Sequence, residues 1–317
     1  MTRKHNLFLG AFLSALLLFT VYVLLDTFVI ERRIEAAAET QPIGSRPADD
    51  AAESAGETGG ISLLSSPQTE DGSAERMTTE NCYQDGNVSV QITEERINGT
   101  TVYLADVQLT SAAYLQTAFA DNTYGRNVTN TTSGIAESVN AVLAINGDFY
   151  GAKQSGYVIR NGVLYRSTAK KGAEDLVIYG DGSFAIIREA EVTAEELLED
   201  GAQQVLSFGP ALIENGEISV SASEEVGRAK ASNPRTAVAV IDDLHYLFVV
   251  SDGRTEESEG LSLYELAGFL QSKGAKTAYN LDGGGSSTMV FSGRVVNNPT
   301  AGRSIKERSV SDIVYIG

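Results

Sequence analysis

From residue 81 onward the apolar positions come in short runs, broken by polar and glycine-rich segments. Residues 101–109 partly alternate, the pattern of a strand with one buried face. Residues 141–145 are apolar throughout, as in a central strand. Two further runs, 157–160 and 163–165, flank Asn161-Gly162, whose readiness to take positive φ predicts a tight hairpin. Gly180-Asp181-Gly182-Ser183 joins 176–179 to 184–187 in a second hairpin. Runs at 205–208, 218–220, 237–241, 244–250 and 289–291 extend the series. Helical spacing is rarer. Ser262 with Glu265 forms a capping box, Leu263, Leu266, Ala267 and Leu270 share one face, and Gly274 supplies a stop. Thr193 and Glu196 predict a second helix start, and residues 135–139 a third helix. The pattern predicts an α+β domain, with a large mixed, mainly antiparallel sheet and a few covering helices.

The first eighty residues follow other rules. Residues 7–25 carry no charge, and a helix of that length, at about 1.5 Å per residue, nearly covers a hydrocarbon core of roughly 30 Å. Arg3 and Lys4 precede the run, so the expectation is a transmembrane anchor with a cytoplasmic N-terminus and an extracytoplasmic remainder. A cleaved signal peptide is the other reading, but the run exceeds the usual apolar core of about 7–15 residues. Residues 31–80 hold 11 acidic and 4 basic side chains, a net of 4 − 11 = −7, and no aromatic residue. Such a segment buries too little apolar surface to offset the entropy of ordering, so it reads as a disordered tether. The expected divisions are 1–30 for tail and anchor, 31–80 for the acidic linker and 81–317 for the folded domain.

Composition narrows the chemistry. A net charge of −18 over 317 residues argues against nucleic acid as a partner. The single cysteine, Cys82, excludes an internal disulfide framework and a thiolate zinc cage. Of the two histidines, His5 lies in the basic tail and His245 inside an apolar run that reads as a buried strand. A multi-histidine metal site is therefore excluded. Carboxylates, arginines and backbone amides remain for any catalysis.

Three segments share one design, an apolar strand running straight into polar and glycine residues. They are Asn146-Gly147-Asp148-Phe149-Tyr150, Ser251-Asp252-Gly253-Arg254 and Asn280-Leu281-Asp282-Gly283-Gly284-Gly285-Ser286-Ser287-Thr288. Each sets a carboxylate at a strand end, beside glycine that permits close approach of a ligand. An isolated Asp-Gly is most often only a turn, and Asp181-Gly182 is read so. Three consecutive glycines inside a structured apolar context are harder to explain that way. The last segment lacks the spacing of a phosphate-binding P-loop or a nucleophile elbow. What remains is a backbone nest for an anion or a sugar, edged by hydroxyls. Arg235, just before one strand, and Arg308, just before the last, offer guanidinium forks suited to phosphate.

These segments, in this order and with Pro234-Arg235-Thr236-Ala237 and the helix opening at Leu261-Ser262, resemble the phosphodiester glycosidase family, the domain of the mammalian uncovering enzyme. The resemblance spans roughly residues 85–317. It implies hydrolysis of a glycosyl-1-phosphodiester, with release of a sugar from phosphate in an envelope or exopolysaccharide glycan. The anchor-and-tether layout and the absence of cysteine pairs look more like a bacterial surface protein than the mammalian enzyme. On this resemblance Asp282 and Asp148, with Asp252 third, are the catalytic candidates. Arg235, Arg254 and Arg308, Asn146 and Asn280, and Gly283, Gly284, Gly285, Ser286 and Ser287 would hold sugar or phosphate oxygens. Carboxylates stabilise or attack an oxocarbenium-like centre, while arginine and N–H groups neutralise the departing phosphate. A Ca²⁺ or Mg²⁺ ion held by the aspartates is a further possibility. Two other readings stay open: a non-catalytic, cation-dependent glycan-binding module, and a carboxylate glycosidase acting on neutral glycans.

Overall fold

Three large antiparallel sheets, each carrying one helix on its outer face, make up most of the domain, with two two-stranded ribbons, Arg32–Arg33 on Gly125–Arg126 and Thr300–Ala301 on Ser304–Ile305. The computed structural model describes residues 2–28, 30–33, 76–222, 232–302 and 304–317. The largest sheet has nine strands, in the order Glu217–Ile218, Ala211–Glu214, Thr277–Asn280, Arg235–Asp242, His245–Ser251, Thr100–Leu109, Val88–Ile97, Cys82–Gln84 and Met77–Thr78. A five-stranded sheet runs Arg294–Val295, Met289–Phe291, Leu143–Asn146, Asp312–Ile316 and Leu115–Phe119. A second five-stranded sheet runs Val163–Arg166, Val158–Arg160, Ala202–Leu206, Glu174–Tyr179 and Phe184–Arg188. The predicted mixed character is absent from these sheets, whose neighbouring strands pair antiparallel.

One apolar core lies between the three sheets. Val90, Ala105, Val238 and Phe248 come from the large sheet, Ile145 and Val314 from the first small sheet, and Leu176 and Leu206 from the second. The opposite face of the large sheet packs on helix Leu263–Ser272 through Leu266, Ala267 and Leu270. Helix Thr132–Ser138 covers the first small sheet through Ile135 and Ala136, and helix Ala194–Glu199 covers the second through Leu197. The predicted capping box of Ser262 with Glu265 forms, and the helix start expected at Thr193 is likewise closed by a capping box with Glu196. Asn161 and Gly162 take φ of 51° and 74° in the hairpin they were expected to turn.

The folded part begins earlier than residue 81, because Met77–Thr78 already pairs with Cys82–Gln84. Residues 34–75, which hold most of the expected tether, lie outside the described residues. Thr2–Phe28 form one helix that contains the uncharged run 7–25. Among the described residues, whose side chains in this helix are those of 12–25, no helix is long and apolar enough to cross a membrane. His245 opens its strand rather than lying buried within it. Its Nε2 meets Asp106 at 2.9 Å with the imidazole partly exposed.

Candidate active site

The long glycine-rich segment crosses from the large sheet to the first small one. It leaves strand Thr277–Asn280 and re-enters structure at Met289–Phe291. On the way its backbone is tied to two other strand ends. The Leu281 N–H donates to Thr236 O at 2.9 Å, and the Asp282 N–H donates to Gly147 O at 3.2 Å. The ends of strands 143–146, 235–242 and 277–280 therefore converge.

Asp282 sits at this junction with its carboxylate largely buried. Its Oδ2 accepts from Ser286 Oγ at 2.6 Å and pairs with Arg308 Nη2 at 2.9 Å. Burial raises its pKa above the ordinary carboxylate value, and the Arg308 charge and Ser286 hydroxyl offset this only in part. Arg308 also donates to Ser286 Oγ through Nε at 2.9 Å, and its side chain is 45% exposed. A guanidinium that is bound on one edge and open to solvent on the other can still meet an incoming phosphate. The loop also carries buried polar atoms without hydrogen-bond partners: Asn280 Oδ1, Ser287 Oγ and Thr288 Oγ1. Natural structures rarely leave such atoms unmatched, and these three mark unused polar capacity beside Asp282.

Two glycines earn their place by geometry. Gly284 has φ of 62°, and a Cβ there would come within 2.7 Å of Arg254 Nη2. The Arg254 guanidinium thus lies against the loop, steadied by Asn233 Oδ1 at 3.0 Å. At Gly147 a Cβ would come within 2.2 Å of the Asp312 carboxylate. Phe149 and Arg254 adopt left-handed backbone, φ 67° and 63°. That conformation is costly for residues with a Cβ and clusters at functional sites. Phe149 is also 41% exposed, an aromatic face standing in solvent next to Asp148.

The other candidates are placed differently from Asp282. Asp148 is fully buried, with Oδ1 accepting the Tyr150 N–H at 3.0 Å and Oδ2 accepting the Ser207 N–H at 2.7 Å and meeting Arg160 at 3.0 Å. Arg160 also binds Asp312 at 2.8 Å, so one guanidinium serves two buried carboxylates. Burial works against the charged form of Asp148, but Arg160 holds its pKa low. Burial and the charge of Asp148 push the pKa of Asp312 up. Asp252 binds the Asn298 N–H at 2.9 Å and both amide side chains of Asn297 and Asn298, which fastens that loop. Asn146 donates to Asp282 O at 2.6 Å and accepts from Thr236 Oγ1 at 2.8 Å, holding the junction together. Asn280 Nδ2 donates to Gly209 O at 2.8 Å. Arg235, buried, donates through Nε to Leu261 O at 2.8 Å. Gly283 and Gly285 pass close to Pro234 O and to Ala301, respectively.

A Ca²⁺ or Mg²⁺ ion on these aspartates was one possibility, with no cofactor required, and each aspartate has another partner here. Asp148 faces Arg160, Asp252 faces amides and Asp282 faces Arg308. Among the described residues no group of three or more His, Cys, Asp or Glu is arranged to hold a metal ion. Sequence reading did not single out Arg160, Asp312, Lys153 or Asp175. The available signals were a charged residue closing the run Val158–Arg160 and an acid opening Asp312–Ile316.

A family model for phosphodiester glycosidases matches residues 139–317, which is more than half the chain and contains Asn146 through Arg308. The chain belongs to the phosphodiester glycosidase family. Within it, the N-acetylglucosamine-1-phosphodiester alpha-N-acetylglucosaminidase of Mus musculus is 31% identical over 175 residues, covering 50% of this chain and 33% of that protein. The SPbeta prophage-derived uncharacterized protein YomE of Bacillus subtilis (strain 168) is 29% identical over 198 residues, covering 61% and 30%. The chain thus spans about a third of the length of these curated relatives. Among solved structures, the zebrafish N-acetylglucosamine-1-phosphodiester alpha-N-acetylglucosaminidase catalytic domain, auto-inhibited by pro-peptide, superposes with a TM-score of 0.58 at 19% identity. It covers 77% of this chain and 86% of its own. A hypothetical protein from Synechocystis gives a TM-score of 0.53 at 18% identity, covering 73% and 62%. At these identities the two structures speak for the fold alone.

Proposed function

We propose that the chain is a hydrolase that releases a sugar from a glycosyl-1-phosphodiester, with Asp282 as the reacting carboxylate and Arg308 on the phosphate. The observation that carries this is the Asp282–Ser286–Arg308 cluster. It pairs a largely buried carboxylate with a half-exposed guanidinium, on a loop with further unmatched polar atoms. Family membership adds the reaction class, and the mouse relative's name adds N-acetylglucosamine as the first sugar to try. Phosphate is a good leaving group, so charge neutralisation matters more than a strong general acid. Asp148 and Asp252 act in this reading by holding the 146–150 and 297–298 segments in place. Asn280, Ser287 and Arg254 line the substrate side, and Phe149 offers a face for a sugar ring.

The uncharged run 7–25, preceded by Arg3 and Lys4, supports a membrane anchor with the domain extracytoplasmic, and an envelope glycan is the substrate proposed for it there. The deciding test offers the chain a nitrophenyl-phosphoryl α-N-acetylglucosamine diester beside the matching simple glycoside. The expected result is sugar release from the diester alone, with a loss of at least about 100-fold in Asp282→Asn and Arg308→Gln, the scale of removing one preorganised charge-stabilising contact. Turnover of the simple glycoside that survives Arg308→Gln would instead mark a glycosidase for neutral glycans.

A further inference from the structure

A cationic pocket adjoins the 146–150 segment at Tyr150. It encloses about 210 Å³ and is lined by Tyr124, Arg126, Tyr150, Lys153, Gln154 and Arg166, together with glycine backbone and no acidic side chain. That volume suits one oxyanion with its water, and falls below the roughly 300–1,000 Å³ typical of larger ligand sites. Three cations gathered in one pocket are notable in a chain of net charge −18.

The polar atoms there are poorly matched. Arg126 Nε, Arg166 Nη2 and the Tyr150 hydroxyl are all buried without a hydrogen-bond partner. The Gly125 backbone interacts with the Tyr150 hydroxyl, and Tyr150 itself is only 1% exposed. Arg166 is fixed in place by Gly156 O at 2.6 Å and Lys153 O at 2.8 Å, which directs one edge of its fork to backbone and leaves Nη2 over. Lys153 is steadied by Ser207 O at 2.6 Å and stands over the Phe208 ring. Tyr124 stacks on Tyr150 at 5.1 Å and makes the apolar wall. Burying charged donors unmatched is costly, and an anion is the ligand that matches them.

The pocket is joined to the site already described. Tyr150 follows Asp148 by two residues, and its ring lies 5.8 Å from the Arg160 guanidinium carbon. Lys153 feels the charges of both Asp148 and Asp282. We propose that this pocket binds a second oxyanion of the substrate glycan, a phosphate or a sugar carboxylate other than the scissile diester. That it is a substrate group rests on the hydrolase reading above; that it is an oxyanion site does not. The substrate class is then a multiply charged glycan, and affinity falls with each charge removed.

Calorimetry on the full chain carrying Arg308→Gln, which disables the first phosphate contact, reads the pocket alone. Inorganic phosphate and glucuronate are the two probes, with N-acetylglucosamine as the neutral control. Saturable binding of at least one anion is expected, weakened at least tenfold by adding Arg126→Gln. Tyr150→Phe keeps the ring that packs on Tyr124 and Phe119 and removes only the hydroxyl, so it is expected to fold while also weakening binding. Phosphate binding alone identifies a phosphorylated glycan, and glucuronate binding an acidic-sugar one. Absence of binding by both anions, or affinity changed less than threefold by Arg126→Gln and by Tyr150→Phe, overturns the site. Because no turnover is read, inactivity on every diester would count against the hydrolase and leave this result standing.

Discussion

At the scale of residues, the domain separates two kinds of buried carboxylate. Asp148 and Asp312 share Arg160 at the strand ends, so both are held by one partner in the core. Removing one member of such a buried set strands the others, at a cost of about 3–5 kcal/mol. Asp282 pairs with an arginine that remains open to solvent. Asp175 is a third case, fully buried beside Glu189 and Ser207. Burial, then the neighbouring Glu189, pushes its pKa up to about 9. Its folded pKa is raised, so its contribution to stability is fully present below about pH 4. It is lost as pH rises through about 9. Asp175→Asn does not titrate. Urea unfolding at a series of pH values is therefore expected to show the variant gaining on the parent between those limits, by more than the ~1.4 kcal/mol of one pKa unit. Parallel pH profiles would reject the assignment.

At the scale of elements, what could be read from the chain was what is local. Asn161-Gly162 turns its hairpin because both residues tolerate positive φ, a property carried by the dipeptide itself. The capping boxes at Thr193 and Ser262 likewise close within four residues. Helix Leu263–Ser272 is short for an independent helix, so it depends on its cap and on the buried face it sets against the large sheet. Ser262→Ala is expected to lower stability by about 1 kcal/mol in thermal or urea unfolding, the usual worth of an N-cap side chain. The pairing of Arg160 with Asp312 could not be seen the same way, since it joins residues 152 apart through the meeting of two sheets. The same holds for Asp148, which reads as a strand-end carboxylate in sequence but is turned inward by Arg160 and the Ser207 amide. Asp282, Ser286 and the glycines were legible because their unusual composition lies within one segment. Arg308 stood out in sequence only by its guanidinium fork just before the last strand, and its pairing with Asp282 is made by the fold.

At the scale of the whole molecule, helix Thr2–Phe28 leads into Arg32–Arg33, which pairs with Gly125–Arg126 of the domain. Deleting residues 1–30 is expected to move the protein from the membrane fraction to the soluble fraction with the domain still folded. Cell fractionation checks this, and an unchanged membrane fraction would reject the anchor. The three sheets, by contrast, share a single apolar interior. The 281–288 segment is a stitch across the seam between two of them, fastened to Gly147 and Thr236 on the way. It cannot loosen without parting strands that the interior also holds. A ligand gripping that stitch therefore resists separation of the layers as well as motion of the loop, so occupancy at Asp282 reads out as later, more cooperative melting of the entire sheet assembly.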